Sequence, residues 1–172
     1  MCLFFIAPVA AQDSNSLVIN CPYDSLSVGN VKAVGIVKTG ELTISVDFQN
    51  KYSKKSKVHF ALGGYSDLGI ENDKGSKYKI HTSERLIGTK DINKGYGKIS
   101  SVFFGDKKMG SFTYVEQELP TSDTKTLTVK LSGFDKSSKK ILDFHVRCIL
   151  FLNYMHVGDK FVQLKNIPIE WK

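Results

Sequence analysis

Residues 41–49 read Glu41-Leu42-Thr43-Ile44-Ser45-Val46-Asp47-Phe48-Gln49, with every second side chain apolar. Successive side chains of a strand point to opposite faces. Leu42, Ile44, Val46 and Phe48 would therefore share one face, and Glu41, Thr43, Ser45, Asp47 and Gln49 the other. The segment is predicted to be a strand with one dry side and one wet side.

The same alternation recurs outward from this stretch. Val58, Phe60 and Leu62 alternate over 57–62, and Leu127, Val129 and Leu131 over 125–131. Residues 141–152 form the longest apolar stretch and are expected to be a central strand, with Leu142, Phe144, Val146, Cys148 and Leu150 inward. Further strands are expected at 17–21, 28–38, 77–81, 99–104, 111–118 and 160–169. Phe161 lies in the last of these, and Pro168 stands near its end, where a missing donor is tolerable. Segments 51–56, 63–76, 105–110, 120–124, 133–140 and 153–159 carry turn chemistry. In 82–98, Thr82-Ser83-Glu84 has the form of a helix cap, but Gly88, Gly95 and Gly97 disfavour a helix of any length. The expectation is an all-β antiparallel sandwich of about nine strands with essentially no helix.

The chain has 172 residues, 41% hydrophobic and 24% charged, with 11 Phe and 7 Tyr to fill a core. That suits one domain and excludes a disordered or low-complexity chain. The formal net charge is +7. The lysines gather in polar segments: Lys51, Lys54, Lys55 and Lys57; Lys74, Lys77 and Lys79; Lys136, Lys139 and Lys140. Lysine-rich turns and edges keep sheets from pairing edge to edge. Arginine is limited to Arg85 and Arg147, which argues against specific nucleic-acid recognition.

Residues 2–10 form a short apolar run, followed by small Val9-Ala10-Ala11 and polar Gln12 to Ser16. This has the form of the second half of a secretory signal cleaved after Ala11, although no Lys or Arg precedes Lys32. The expected organisation is a signal remnant and tail over 1–16 and one sandwich domain over 17–172, in a secreted or periplasmic protein. Removal of the signal would leave two cysteines, Cys21 and Cys148, both phased inward. An oxidising compartment permits a bridge between them, worth about 4 kcal/mol in the chain-entropy model. The alternative is two buried thiols acting as small hydrophobes.

Four segments carry a resemblance. They are Glu41 to Phe60, Glu71-Asn72-Asp73-Lys74-Gly75-Ser76-Lys77-Tyr78, Leu119-Pro120 before a polar loop, and the closing Leu164-Lys165-Asn166-Ile167-Pro168-Ile169. Together they cover about half the chain, and their order resembles that of bacterial exported immunoglobulin-like β-sandwich domains of unknown function. The resemblance implies an immunoglobulin-like sandwich and an envelope location, and it brings no catalytic residues.

Chemistry-bearing residues are sparse. His59 and His145 should face out, and neither they nor His81 and His156 have the spacing of a zinc site. Asp67, Glu71, Asn72 and Asp73 concentrate oxygen ligands, but without the spacing of a calcium-binding helix–loop–helix, and an Asx-rich turn explains them. Glu116 and Glu118 share one strand face. No Gly-x-Ser-x-Gly elbow or phosphate loop occurs. Tyr65, Tyr78 and Tyr96 are the candidate binding residues, with Tyr154 and Trp171 also near loops or strand ends. Exposed aromatics beside polar groups bind glycans and proteins; otherwise they plug the ends of the sandwich.

The leading expectation is a non-enzymatic exported sandwich that binds a protein or glycan partner, with no cofactor. The alternatives are a carbohydrate-binding or carbohydrate-active jelly roll with a groove around Glu116 and Glu118, or a lysine-driven binder of anionic polymers. Binding is expected through the loops at 63–76 and 82–98.

Overall fold

A computed structural model describes residues 16–80, 95–110 and 113–172. Expectations for the signal-like run at 1–15, for His81 and for most of the 82–98 loop lie outside the described residues. The described chain is all-β, a two-layered sandwich whose strands are β1 (Val18–Asn20), β2 (Leu26–Ile36), β3 (Glu41–Asn50), β4 (Ser56–Ala61), β5 (Leu68–Asn72), β6 (Lys77–Ile80), β7 (Tyr96–Phe104), β8 (Lys107–Lys108), β9 (Tyr114–Leu119), β10 (Thr124–Ser132), β11 (Lys140–Leu152) and β12 (Met155–Trp171).

One layer has the order β2-β3-β10-β7, and the other joins β12, β11, β4 and β9, with β5 beside β11 and β6 beside β5. Within each layer the pairings are antiparallel. The two parallel pairings are seams: Ile169–Trp171 of β12 join β2, and β6 joins β7. Because β12 also pairs with β11, the ladder runs around the core without a break along either seam.

Alternation does what β3 promised. Leu42, Ile44, Val46 and Phe48 are buried, as are Val58, Phe60, Leu127, Val129 and Leu131. Phe48 meets Phe60 at 4.9 Å between ring centroids, and Phe60 meets Phe104 at 5.0 Å, both edge to face. β3 and β4 are not sheet neighbours, so these rings join the layers. Each buried Phe contributes about 1.5–3 kcal/mol relative to an exposed one.

Four sequence expectations change. The 63–76 segment is not all loop, since it contains β5, whose Leu68, Gly69 and Ile70 are all buried. The turn expected over 153–159 shrinks to Asn153-Tyr154, both at positive φ (47° and 68°), and β12 starts at Met155. The phase of β11 slips at a bulge between Ile141 and Asp143, so Ile141 is buried and Leu142 leaves the core face. Lys79 is not a solvated turn lysine: it is buried, with its ammonium 4.3 Å from the Tyr96 ring centroid.

Buried polar groups are tied down. Asn50 Nδ2 donates to Lys54 O and Leu119 O, each at 2.9 Å, and its Oδ1 accepts from Tyr52 N at 2.9 Å. Tyr23, 5% exposed, reaches across the chain and donates to Cys148 O at 2.6 Å. This bond bridges the segment before β2 to β11. Tyr23→Phe should leave the Cys148 carbonyl short of a donor and cost about 1–3 kcal/mol. A thermal melt should drop by several degrees; an unchanged midpoint would show the bridge to be dispensable.

Candidate functional site

Asp143, His145 and Arg147 alternate with core residues along β11 and form its outward set. Gln163 of β12 stands directly across from His145, and Asp143 faces Lys165. His145 also faces Gly69 of β5. A Cβ on Gly69 would lie 2.5 Å from His145 Cε1 and 2.8 Å from Tyr65 Cε2, so the glycine lets both rings lie across β5.

His145 Nε2 lies 2.7 Å from Tyr65 O, and Nδ1 lies 2.7 Å from Asp143 Oδ2. A carbonyl and a carboxylate only accept, so both ring nitrogens donate and the ring is an imidazolium. Hydrogen bonding to Asp143 raises the His145 pKa above its ordinary 6.5, against an opposing burial effect. Burial alone would raise the Asp143 carboxyl, but hydrogen bonds from His145 and from Gln163 Nε2 (2.6 Å) outweigh it and hold the pKa below 3.8. Arg147 extends the network. It grips Asp159 with two bonds, at 2.9 and 2.6 Å, and reaches Asp67 at 3.3 Å. Asp67 in turn accepts from Gly63 N at 3.0 Å, which pins the 63–67 turn.

Rings gather over this network. Tyr65 lies 5.1 Å from His145 edge to face and 5.3 Å from Tyr96, and His145 lies 6.0 Å from Phe161. Lys77 sits 5.5 Å from the Tyr65 ring centroid. Burial, and then the Glu71 carboxylate, push the Tyr65 phenol up to about 12, so it stays neutral at physiological pH. A hollow of ≈ 360 Å³ opens between Asn20, Ser66, His145, Phe161 and Gln163.

Of the three tyrosines singled out, Tyr65 and Tyr96 come together here and Tyr78 does not. Tyr78 is buried, stacked on Phe134 at 4.6 Å and fitted over Gly97, whose Cβ would lie 2.3 Å from its ring. Phe161 and Gln163 were not foreseen as site residues. The available signal was Asp143-x-His145 on the wet face of a strand. Trp171 packs on Gly35 and donates to Ser138 O at 2.8 Å.

The acidic residues of 67–73 do not converge on one point. Asp67 pairs with Arg147 and Glu71 with Lys77 at 3.7 Å, Asn72 binds Ser138, and Asp73 accepts from Lys139 N. Glu116 and Glu118 lie on the outer face of β9, each in an ion pair. Lys57 Nζ is 2.7 Å and His59 Nδ1 3.1 Å from Glu116, and Lys55 Nζ is 3.1 Å from Glu118. Cys21 and Cys148, considered for a bridge, are free thiols. Cys148 is fully buried and Cys21 half-buried, and burial raises both pKa values away from the reactive thiolate.

A second exposed feature is the tip of the β11–β12 hairpin. Tyr154 is 72% exposed, Met155 71% and Val157 50%. Between Met155 and Val162 the side of β12 away from β11 pairs with no described strand. Lys55 covers one face of the Tyr154 ring at 4.6 Å.

No family model matches the chain, and no curated protein matches it. Among solved structures, the PapD-like domain 7 (ASH / PapD-like) of human CEP192 overlaps with TM-score 0.40 at 5% identity, over 100% of this chain and 96% of that one. The CooA pilin subunit of enterotoxigenic Escherichia coli gives 0.41 at 12% identity, over 86% and 97%. The periplasmic chaperone SfaE gives 0.37 at 10% identity, over 86% and 56%.

The His145–Asp143 pair sets a pH dependence. The His145 pKa is raised, so its contribution is complete below 6.5 and is lost as pH rises through the raised value. The Asp143 pKa is lowered, so its contribution is complete above 3.8 and is lost as pH falls through the lowered value. Melts of wild type and His145→Gln should differ most between about pH 4 and 6.5 and draw together above neutrality. A gap that stays constant to alkaline pH would mean that no charged pair exists.

Proposed function

We propose that the protein is a non-enzymatic exported sandwich that binds a protein partner through the tip of the β11–β12 hairpin. The observation that carries this reading is Tyr154. A two-residue hairpin turn of this type requires positive φ at both central residues, a bulky residue there costs roughly 1–2 kcal/mol, and the chain keeps a tyrosine where a glycine would fit without strain. Here the strained residue is also the most exposed aromatic among the described residues, with exposed Met155 and Val157 beside it on an open strand edge. Large exposed apolar side chains clustered in this way mark interaction sites, and an open edge offers backbone hydrogen bonds to an incoming strand.

The polar groups nearby support binding over catalysis. Both nitrogens of His145 are engaged, so it holds no free base. Glu116 and Glu118 are held by cations, and Cys148 is sealed in the core. Aromatics and an open edge, with His145, Glu116 and Glu118 already paired, suit a recognition surface.

Tyr154→Gly removes the strain and the ring together, so the fold should stay as stable as wild type or gain slightly. Combined with Met155→Ser, it should weaken capture of an envelope protein at least tenfold, as loss of a hot spot does. Cross-linking in cell-envelope extract, with the captured protein then purified for direct titration, measures this. Equal affinity of the variant and wild type for that protein would overturn the reading.

Export and the division at residue 16 are part of the same proposal, supported by the apolar run ending at Val9-Ala10-Ala11. N-terminal sequencing of the protein from its native cells should begin at Gln12, and a start within 1–11 would count against cleavage there.

A further inference from the structure

We propose that the hollow between Phe161 and His145 is a binding site for a neutral carbohydrate. Tyr154 and Met155 do not line it, so this does not depend on the hairpin-tip reading. Its ≈ 360 Å³ lies in the range of small-ligand sites.

The lining has the composition a sugar needs. Phe161 is 46% exposed, with His145 meeting it at 6.0 Å, which leaves phenyl surface open to an apolar C–H face. Around it, among the described residues, the Asn20 carboxamide and the Ser66 hydroxyl make no hydrogen bond to protein. Gln163, which also lines the hollow, has committed Nε2 to Asp143, and its carbonyl oxygen remains as an acceptor. Amide and hydroxyl groups both donate and accept, as sugar hydroxyls do.

Electrostatics select against a charged ligand. The imidazolium of His145 is matched by Asp143, and Arg147 is held by Asp159 and Asp67. An ion entering the hollow would lose hydration, and His145 and Arg147 already have their counter-charges. The platform is also rigid. His145 is held at both nitrogens and Gln163 by Asp143, and both stand on the β11–β12 ladder. Little ordering is therefore required on binding.

The test is an NMR titration of the isotope-labelled protein with cellobiose, lactose and chitobiose, and separately with inorganic sulfate, at about 10 mM to reach millimolar affinities. At least one disaccharide should shift the amides of Asn20, Ser66, Phe161 and Gln163 in wild type. Phe161→Ala and Asn20→Ala, each folded by its melting curve, should weaken that binding at least tenfold. Tyr154→Gly should leave it unchanged, so the hairpin-tip reading and this one fail separately. The inference is overturned if none of the three sugars shifts these amides, if sulfate alone does, or if Phe161→Ala binds like wild type.

Discussion

The structure depends on a single constraint: each layer must present an unbroken dry face to the other. Phe48, Phe60 and Phe104 show it most directly, because they come from both layers and pack edge to face with no exposed surface. A one-residue slip in any of these strands would swap the dry and wet faces and place charged groups between the layers. Register is therefore set by the core. The seams follow from the same demand. β12 serves β11 for most of its length and then β2, and Pro168, which has no N–H, sits just before the parallel pairing begins.

Once the core side of β11 is locked, its other side has no freedom either. Asp143, His145 and Arg147 must point outward, and what they meet is decided by the strands alongside. Gln163 and Asp159 come from β12, and the Tyr65 carbonyl and Asp67 come from the turn before β5. The result is a half-buried network in which His145 is matched by Asp143, and Arg147 by Asp159 and Asp67. Such a surface is poor at proton transfer and good at presenting rings in fixed positions. The hairpin tip lies beyond this network, and there the strand edge is left open.

The clean alternation of β3 and β10 was legible because the two strands pair with each other over eight residues without a register shift. β5 was not, because Gly69 and Asn72 look like turn residues. Gly69 is a strand residue because two rings lie over it, and Asn72 because Ser138 and its own turn satisfy its amide. The first half of β12 carries no dry face, because Met155 to Phe161 are not buried on either side, and the register shift opposite Leu150 and Phe151 leaves Val157 without a partner on β11. Gln117 belongs to the inward set of β9, and its amide is taken up by Phe104 O, Asp106 and Lys125.

Local periodicity in the chain was enough to establish an all-β protein with a dry side to each main strand, and to put His59 and His145 on the outer faces. That information is local: it needs only the two-residue repeat of a strand. Which strands lie side by side depends on closing long loops and on packing the two layers. Only the tertiary structure could therefore bring Tyr65, Tyr96, Phe161 and the Asp143–His145 pair onto one surface, bury Tyr78 away from it, and leave Tyr154 strained and exposed at the end of the hairpin.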